Sequence, residues 1–232
     1  MGTVAMDATL KPAWGFYQVY IGKKLVMVAS GVILVLYIFG HLAGNLQVYV
    51  GPERLNAYAA FLHAHAGLLW TARAVMLAAV ALHVWSSFLL WLDKRRARPI
   101  GYVKKDDVPA SYASRTMMWS GPILAAFVLF HILHLTTGNA GLGFQAPEHE
   151  RFFAYENVVS GFQHPAVSIA YIVAIVLLSM HLYHGLWSMF QSVGISHPRH
   201  TPLLKRAAHV VAILVAAGYI SIPLSVMIGL VK

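Results

Sequence analysis

Four long apolar stretches of this chain each carry a histidine well inside them: His41, His83, His131 and His181. An ionisable side chain in hydrocarbon is costly, so its repeated use calls for a chemical reason. Neutral imidazole is a common metal ligand and a standard axial ligand of haem iron. The bland alternative is structural, because a histidine in a membrane helix also hydrogen-bonds neighbouring helices together. Which applies turns on whether the histidines meet in pairs. His134 and His184 lie one helical turn from His131 and His181, so either could stand in for its neighbour.

The elements that must position these residues are easily found. The chain has 232 residues, 59% hydrophobic and only 11% charged, which is the composition of a membrane protein. Five stretches contain no Lys, Arg, Asp or Glu: Leu25 to Val50, Ala74 to Leu92, Met117 to Leu135, Val167 to Phe190 and Ala207 to Val231. Each reaches the ~20 residues that a helix needs to cross the bilayer. The expected fold is all-α, one integral membrane bundle over residues 1–232, with five spans at about 24–50, 70–93, 116–137, 164–191 and 205–231. The first apolar segment is too long for a cleaved signal peptide. Between the first two spans, Tyr58 to His65 is expected to form a short interfacial helix, and 136–166 is expected to be a loop.

Charge sets the orientation. Lys11, Lys23, Lys24, Lys94, Arg95, Arg96, Arg98, Lys104, Lys105, Arg115, Arg199, Lys205 and Arg206 fall on one side of such a bundle, and only Arg54, Arg73, Arg151 and Lys232 on the other. By the positive-inside rule the N-terminus is cytoplasmic and the C-terminus outside. The basic balance therefore signals topology, not nucleic-acid binding. The chain has no cysteine, which excludes iron–sulfur ligation, disulfides and covalent haem attachment through C-x-x-C-H.

Depth then sorts the histidines. His41 lies 17 residues beyond Lys24 and His131 lies 16 beyond Arg115, both ~25 Å from the inner side at ~1.5 Å per residue. The second and fourth spans run the other way. His83 stands 10 residues before Asp93 and His181 stands 10 before Gln191, both at ~15 Å. The expected pairs are His41 with His131 and His83 with His181, enough for two bis-imidazole haems stacked across the membrane. Depth favours His131 over His134 and His181 over His184.

Lesser features surround the pairs. Gly31, Gly40 and Gly44 allow close approach of a flat group or another helix, and Asn45 lies one turn from His41. Lys23, Lys24, Ser30 and His209 are at the depth of an inner haem's propionates. His149, His164, His197 and His200 are expected to be solvated. Gln47, His63, His65 and Arg73, with Tyr58 behind them, are the outer-side candidates for hydrogen bonding to a quinone.

The runs Gly40-His41-Leu-Ala-Gly-Asn45-Leu-Gln47, Phe130-His131-Ile-Leu-His134-Leu-Thr-Thr-Gly138 and His181-Leu-Tyr-His184-Gly185-Leu-Trp187-Ser-Met-Phe-Gln191 resemble the cytochrome b membrane anchor of bacterial succinate dehydrogenase and fumarate reductase. The type is the single-chain, five-helix, di-haem one, and the resemblance spans all five helices. It implies two haem b groups, the one nearer the cytoplasm on His83 and His181, the distal one on His41 and His131. A glycine four residues after the fourth ligand, here Gly185, selects His181 over His184, while His134 remains a competitor of His131. Some fumarate reductase relatives carry a proton-transferring glutamate where this chain has Ser179, so that route is not expected.

The same resemblance implies a role without catalytic residues of its own. A partner flavoprotein carrying FAD would oxidise succinate, and a partner iron–sulfur subunit would hand electrons to this succinate:quinone oxidoreductase subunit. The anchor would sit in the bacterial cytoplasmic membrane and serve a quinone, usually menaquinone, with higher oligomers of the complex compatible. Two other expectations stay open. One is a di-haem cytochrome b of another quinone-linked dehydrogenase, such as a hydrogenase or formate dehydrogenase. The other is a histidine-lined metal or proton transporter, for which the spans lack the usual carboxylates.

Overall fold

In hydrocarbon a backbone must satisfy its own hydrogen bonds, and a charge-free run of this length does so as a helix. The computed structural model describes residues 15, 17–97, 112–149 and 151–232. Among them it places α1 (Tyr20–Asn45) running into a 3-10 turn (Leu46–Tyr49), α2 (Pro52–Ala64), α3 (Ala66–Ala97), α4 (Tyr112–Leu135), α5 (Ala154–Phe162), α6 (Pro165–Ser192) and α7 (Thr201–Met227). The described residues form no strand, only an isolated bridge between Glu148 and Arg151. Five helices are long and apolar enough to span a membrane: α1 with its turn, α3, α4, α6 and α7. Even the shortest, α4 with 24 residues, reaches ~36 Å at ~1.5 Å per residue. The lead-in residues Lys11 and Trp14 and the loop cations Arg98, Lys104 and Lys105 lie outside the described residues.

Boundaries depart from expectation where local chemistry allows. The second span covers Ala66–Ala97, not 70–93, because only His65 separates it from α2 and Lys94, Arg95 and Arg96 suit the negative end of the helix dipole. After the first span Gly51 adopts φ 122°, a conformation that a side chain would strain, and Pro52 opens α2 from a position where its missing N–H is not needed. The loop expected over 136–166 contains α5. It is held by Asn157, whose amide both accepts from the Gln145 N–H (2.7 Å) and donates to the Gln145 carbonyl (2.9 Å).

Helix α1 packs against α3 and α6, and α6 packs against α4 and α7. The helices carrying each expected histidine pair, α1 with α4 and α3 with α6, are thus diagonal, and neither combination is in extended contact. At one end Lys23 makes an ion pair with Asp93, and Lys205 sits 4.5 Å over the Trp187 ring. At the other end α2 and α5 form a cap. Asn56 donates to Glu156 and accepts from the Tyr155 N–H (both 2.9 Å), and Tyr155 donates to the Lys232 carbonyl (2.9 Å). Val48, Leu55, Val158, Val159, Phe162, Tyr171, Ile222 and Val226 pack under this cap. That is where water is best excluded. Elsewhere the spans present large apolar side chains outward, Leu77, Trp119 and Leu214 among them, as a lipid solvent permits.

A candidate cofactor site built from paired histidines

Each of the four histidines is set by its helix and its register. His41 on α1 and His131 on α4 meet with ring centres 5.8 Å apart. His83 on α3 and His181 on α6 meet at 6.2 Å. The pairs bridge the two diagonals of the bundle, at two different levels between its ends. Among the described residues no hydrogen bond joins the two rings of either pair; His83 and His131 each bond a neighbouring helix through Nδ1 instead.

The spacing suits an iron between the rings. A metal–imidazole bond of ~2 Å, with ~1 Å more from nitrogen to ring centre, separates the centres of two ligands on one metal by ~6 Å. The inner pair also shows the hydrogen bonding that a ligand needs. His83 Nδ1 lies 3.2 Å from the Met27 carbonyl oxygen, which can only accept, so Nδ1 carries the proton and Nε2 keeps its lone pair. Ser30 Oγ stands 3.4 Å from the same nitrogen while donating to the Val26 carbonyl at 2.8 Å. Gly31 leaves room for this ring: a β-carbon there would stand 3.4 Å from His83 Cε1. Gly185, one turn from His181 on the same face, borders open space.

Among the described residues, four of the buried polar atoms without a hydrogen-bond partner lie on α6 or level with it. They are Ser120 Oγ, His181 Nδ1, His184 Nδ1 and Trp187 Nε1. The contact of His131 with Tyr171 sets the antiparallel register of α4 and α6, and in that register Ser120 is level with residues 181–185. Indole N–H and hydroxyl are donors seeking an acceptor, and each such group left unpaired in a protein interior costs ~1–3 kcal/mol. The propionate candidates named from sequence are otherwise engaged. Lys23 pairs with Asp93, Lys24 lies over Tyr20, His209 rests on the Tyr183 ring, and Ser30 bonds its own helix. Trp187 and Ser120 were not foreseen, since their significance lies in partners they lack.

The competitors of the paired histidines occupy other places. His134 is 2% exposed, lies against Phe130 and Phe162, and fills the space over Gly161, where a β-carbon would clash with its ring. His184 turns its ring toward Trp187 at 5.9 Å.

The outer quinone candidates divide. Tyr58 lays its ring over Gly44, where a β-carbon would come within 2.9 Å of it, and Arg73 lies over the Trp70 ring at 4.9 Å. Tyr37 stacks on His41 at 5.2 Å and so lies at the edge of that pair. Gln47 is half-buried in the 3-10 turn. His63 and His65 are exposed, and each donates its Nδ1 proton to a carbonyl of its own helix, Ala59 (2.9 Å) and Phe61 (2.8 Å). The structure does not bring those two into a common pocket with Arg73. Three tyrosines escaped the sequence reading: Tyr37, Tyr171 and Tyr219, the last 6.2 Å from His41 and donating to the Ile38 carbonyl at 2.8 Å. Hydroxyls inside otherwise apolar spans were the available signal.

No group of three or more His, Asp or Glu side chains is placed to hold a bare metal ion among the described residues, whereas a haem asks the chain for only two ligands. Comparison with known protein families, with curated proteins and with solved structures finds no match for this chain.

Proposed function

We propose that this chain is the membrane-anchor cytochrome b of a succinate:quinone oxidoreductase, with two haem b groups as resident cofactors. The observation that carries the proposal is the presence of two imidazole pairs, 5.8 and 6.2 Å between ring centres, on the diagonals of a membrane bundle with no hydrogen bond inside either pair. Bound haem supplies one-electron chemistry, matching an iron–sulfur donor on one side to a quinone acceptor on the other. His83 and His181 hold the inner group, His41 and His131 the distal one. The Met27 carbonyl orients His83, Gly185 leaves space for a flat ring, and Trp187 and Ser120 offer donors to its carboxylates.

The basic end of the bundle faces the cytoplasm on this account, where Lys94, Arg95 and Arg96 receive the iron–sulfur and flavoprotein subunits. Tyr37, Tyr58 and Arg73, with Gln47 nearby, line the quinone side next to His41. The host membrane is then the bacterial cytoplasmic membrane. The resemblance of the three histidine motifs gives succinate as the donor, and menaquinone follows on the same ground.

Affinity purification of the tagged chain from mild-detergent extracts of its native membrane tests the assignment. A flavoprotein and an iron–sulfur protein should accompany it, and succinate should reduce its b-type absorption bands. Purification with a different dehydrogenase, and no reduction by succinate, would replace the succinate reading with that of another quinone-linked enzyme.

A further inference from the structure

The Tyr171 hydroxyl hydrogen-bonds both His131 and its competitor, His134. It lies 3.2 Å from His131 Nδ1 and 2.9 Å from His134 Nδ1. The group is sealed: Tyr171 is 6% exposed and its ring is boxed by Phe127 at 4.9 Å, Phe162 at 4.8 Å and Phe130 at 6.0 Å. A phenol has one proton to donate and can also accept. It therefore serves the two histidines unequally.

Only one arrangement uses the hydroxyl proton and also leaves His131 Nε2 unprotonated. In it His131 donates Nδ1–H to the Tyr171 oxygen, and Tyr171 donates its own proton to His134 Nδ1. His134 then carries its ring proton on Nε2, the atom that lies buried without a partner against Gly161. Neither nitrogen of His134 is left for a metal.

We infer that Tyr171 is a positioning residue that sets His131 as the distal ligand, in the Nδ1–H tautomer, and withdraws His134 from ligation. This rests on the proposed di-haem function. It adds a prediction about redox poise, because an acceptor on the far nitrogen makes an imidazole a stronger donor to its metal. A bonded chain of two hydrogen bonds reinforces that effect.

The test is a potentiometric titration of both haems in membranes holding the assembled complex, comparing wild type with Tyr171→Phe. Wild type decides the underlying proposal first, since a chain without b haem fails before Tyr171 is at issue. With two haems present, Tyr171→Phe should keep both and shift one transition to higher potential, leaving the other in place. Phe162→Leu, which disturbs the same box but spares the hydroxyl, should move neither. Two unshifted transitions in Tyr171→Phe, or an equal shift in Phe162→Leu, overturn the inference. Should Tyr171→Phe not retain both haems, His134→Leu carries the test. It removes the acceptor of the hydroxyl proton, and the same single transition must rise; an unmoved transition overturns the inference.

Discussion

His83 gives its Nδ1 proton to the carbonyl oxygen of Met27 across 3.2 Å, tying a ring on α3 to the backbone of α1. The bond fixes the tautomer, with Nε2 unprotonated and the ring centre 6.2 Å from that of His181. Its consequence is that a residue without metal chemistry, the neighbouring Gly31, becomes part of the site. A β-carbon at Gly31 already stands 3.4 Å from this ring, so a branched side chain must push it aside. Gly31→Val should abolish one of two haems while Gly31→Ala retains both, as read from pyridine haemochrome per mole of chain.

Gly185 makes the complementary case. It meets nothing within 4 Å, so the fold itself has no need of a glycine there. Gly185→Leu should leave helix content and membrane insertion unchanged yet lower haem occupancy of the inner pair. Full occupancy in that variant would place the flat group elsewhere.

The cap offers a stability test independent of any cofactor. Asn56 makes two hydrogen bonds that tie α2 to α5, each worth ~1 kcal/mol net. Asn56→Ala should lower the detergent melting temperature and speed proteolysis between α4 and α6, with a loss of about 2 kcal/mol. Gly161→Ala should also destabilise, because the His134 ring occupies the space its β-carbon needs and an overpacked core typically loses ~1–3 kcal/mol.

Much of this was legible in the sequence. The absence of charge over five stretches marked the spans, and a count of residues from the charged boundaries put His41 level with His131 and His83 level with His181. That count worked because helical rise is nearly constant. Rotation about each helix axis is not, and so the surroundings of His134, with Gly161 under its ring and the Tyr171 hydroxyl at its Nδ1, could not be read from the sequence. The nine residues of α5 were lost in a loop because they are too few to span the bilayer, although Val158, Val159 and Phe162 give them one buried apolar face. The helix owes its place to Asn56 and to the Asn157 pairing with Gln145. Trp187 and Ser120 were invisible for a different reason: an unpartnered atom can be recognised only when its surroundings are known.

The absence of cysteine makes topology easy to test. His149→Cys and His197→Cys place single thiols at opposite ends of the bundle, both at exposed positions. In intact cells an impermeant maleimide should label the first and not the second. The reverse pattern would invert the orientation taken from the basic residues.

Orientation has an energetic consequence. If the quinone is reduced beside His41, electrons move toward the positive outer face, gaining ~2.3 kcal/mol per charge per 100 mV. Succinate oxidation in energised vesicles should then slow when an uncoupler collapses the potential. Indifference to the uncoupler would put quinone reduction on the inner side.

The central claim is that four histidines form two ligand pairs, and haem stoichiometry tests it most directly. Purified chain should hold two b haems, and alanine at His41, His83, His131 or His181 should each remove one. Combining both alanines of one pair should remove no more than either alone, and His134→Ala should keep two. A wild-type chain without b haem, or a His131→Ala variant that retains both, would contradict the account.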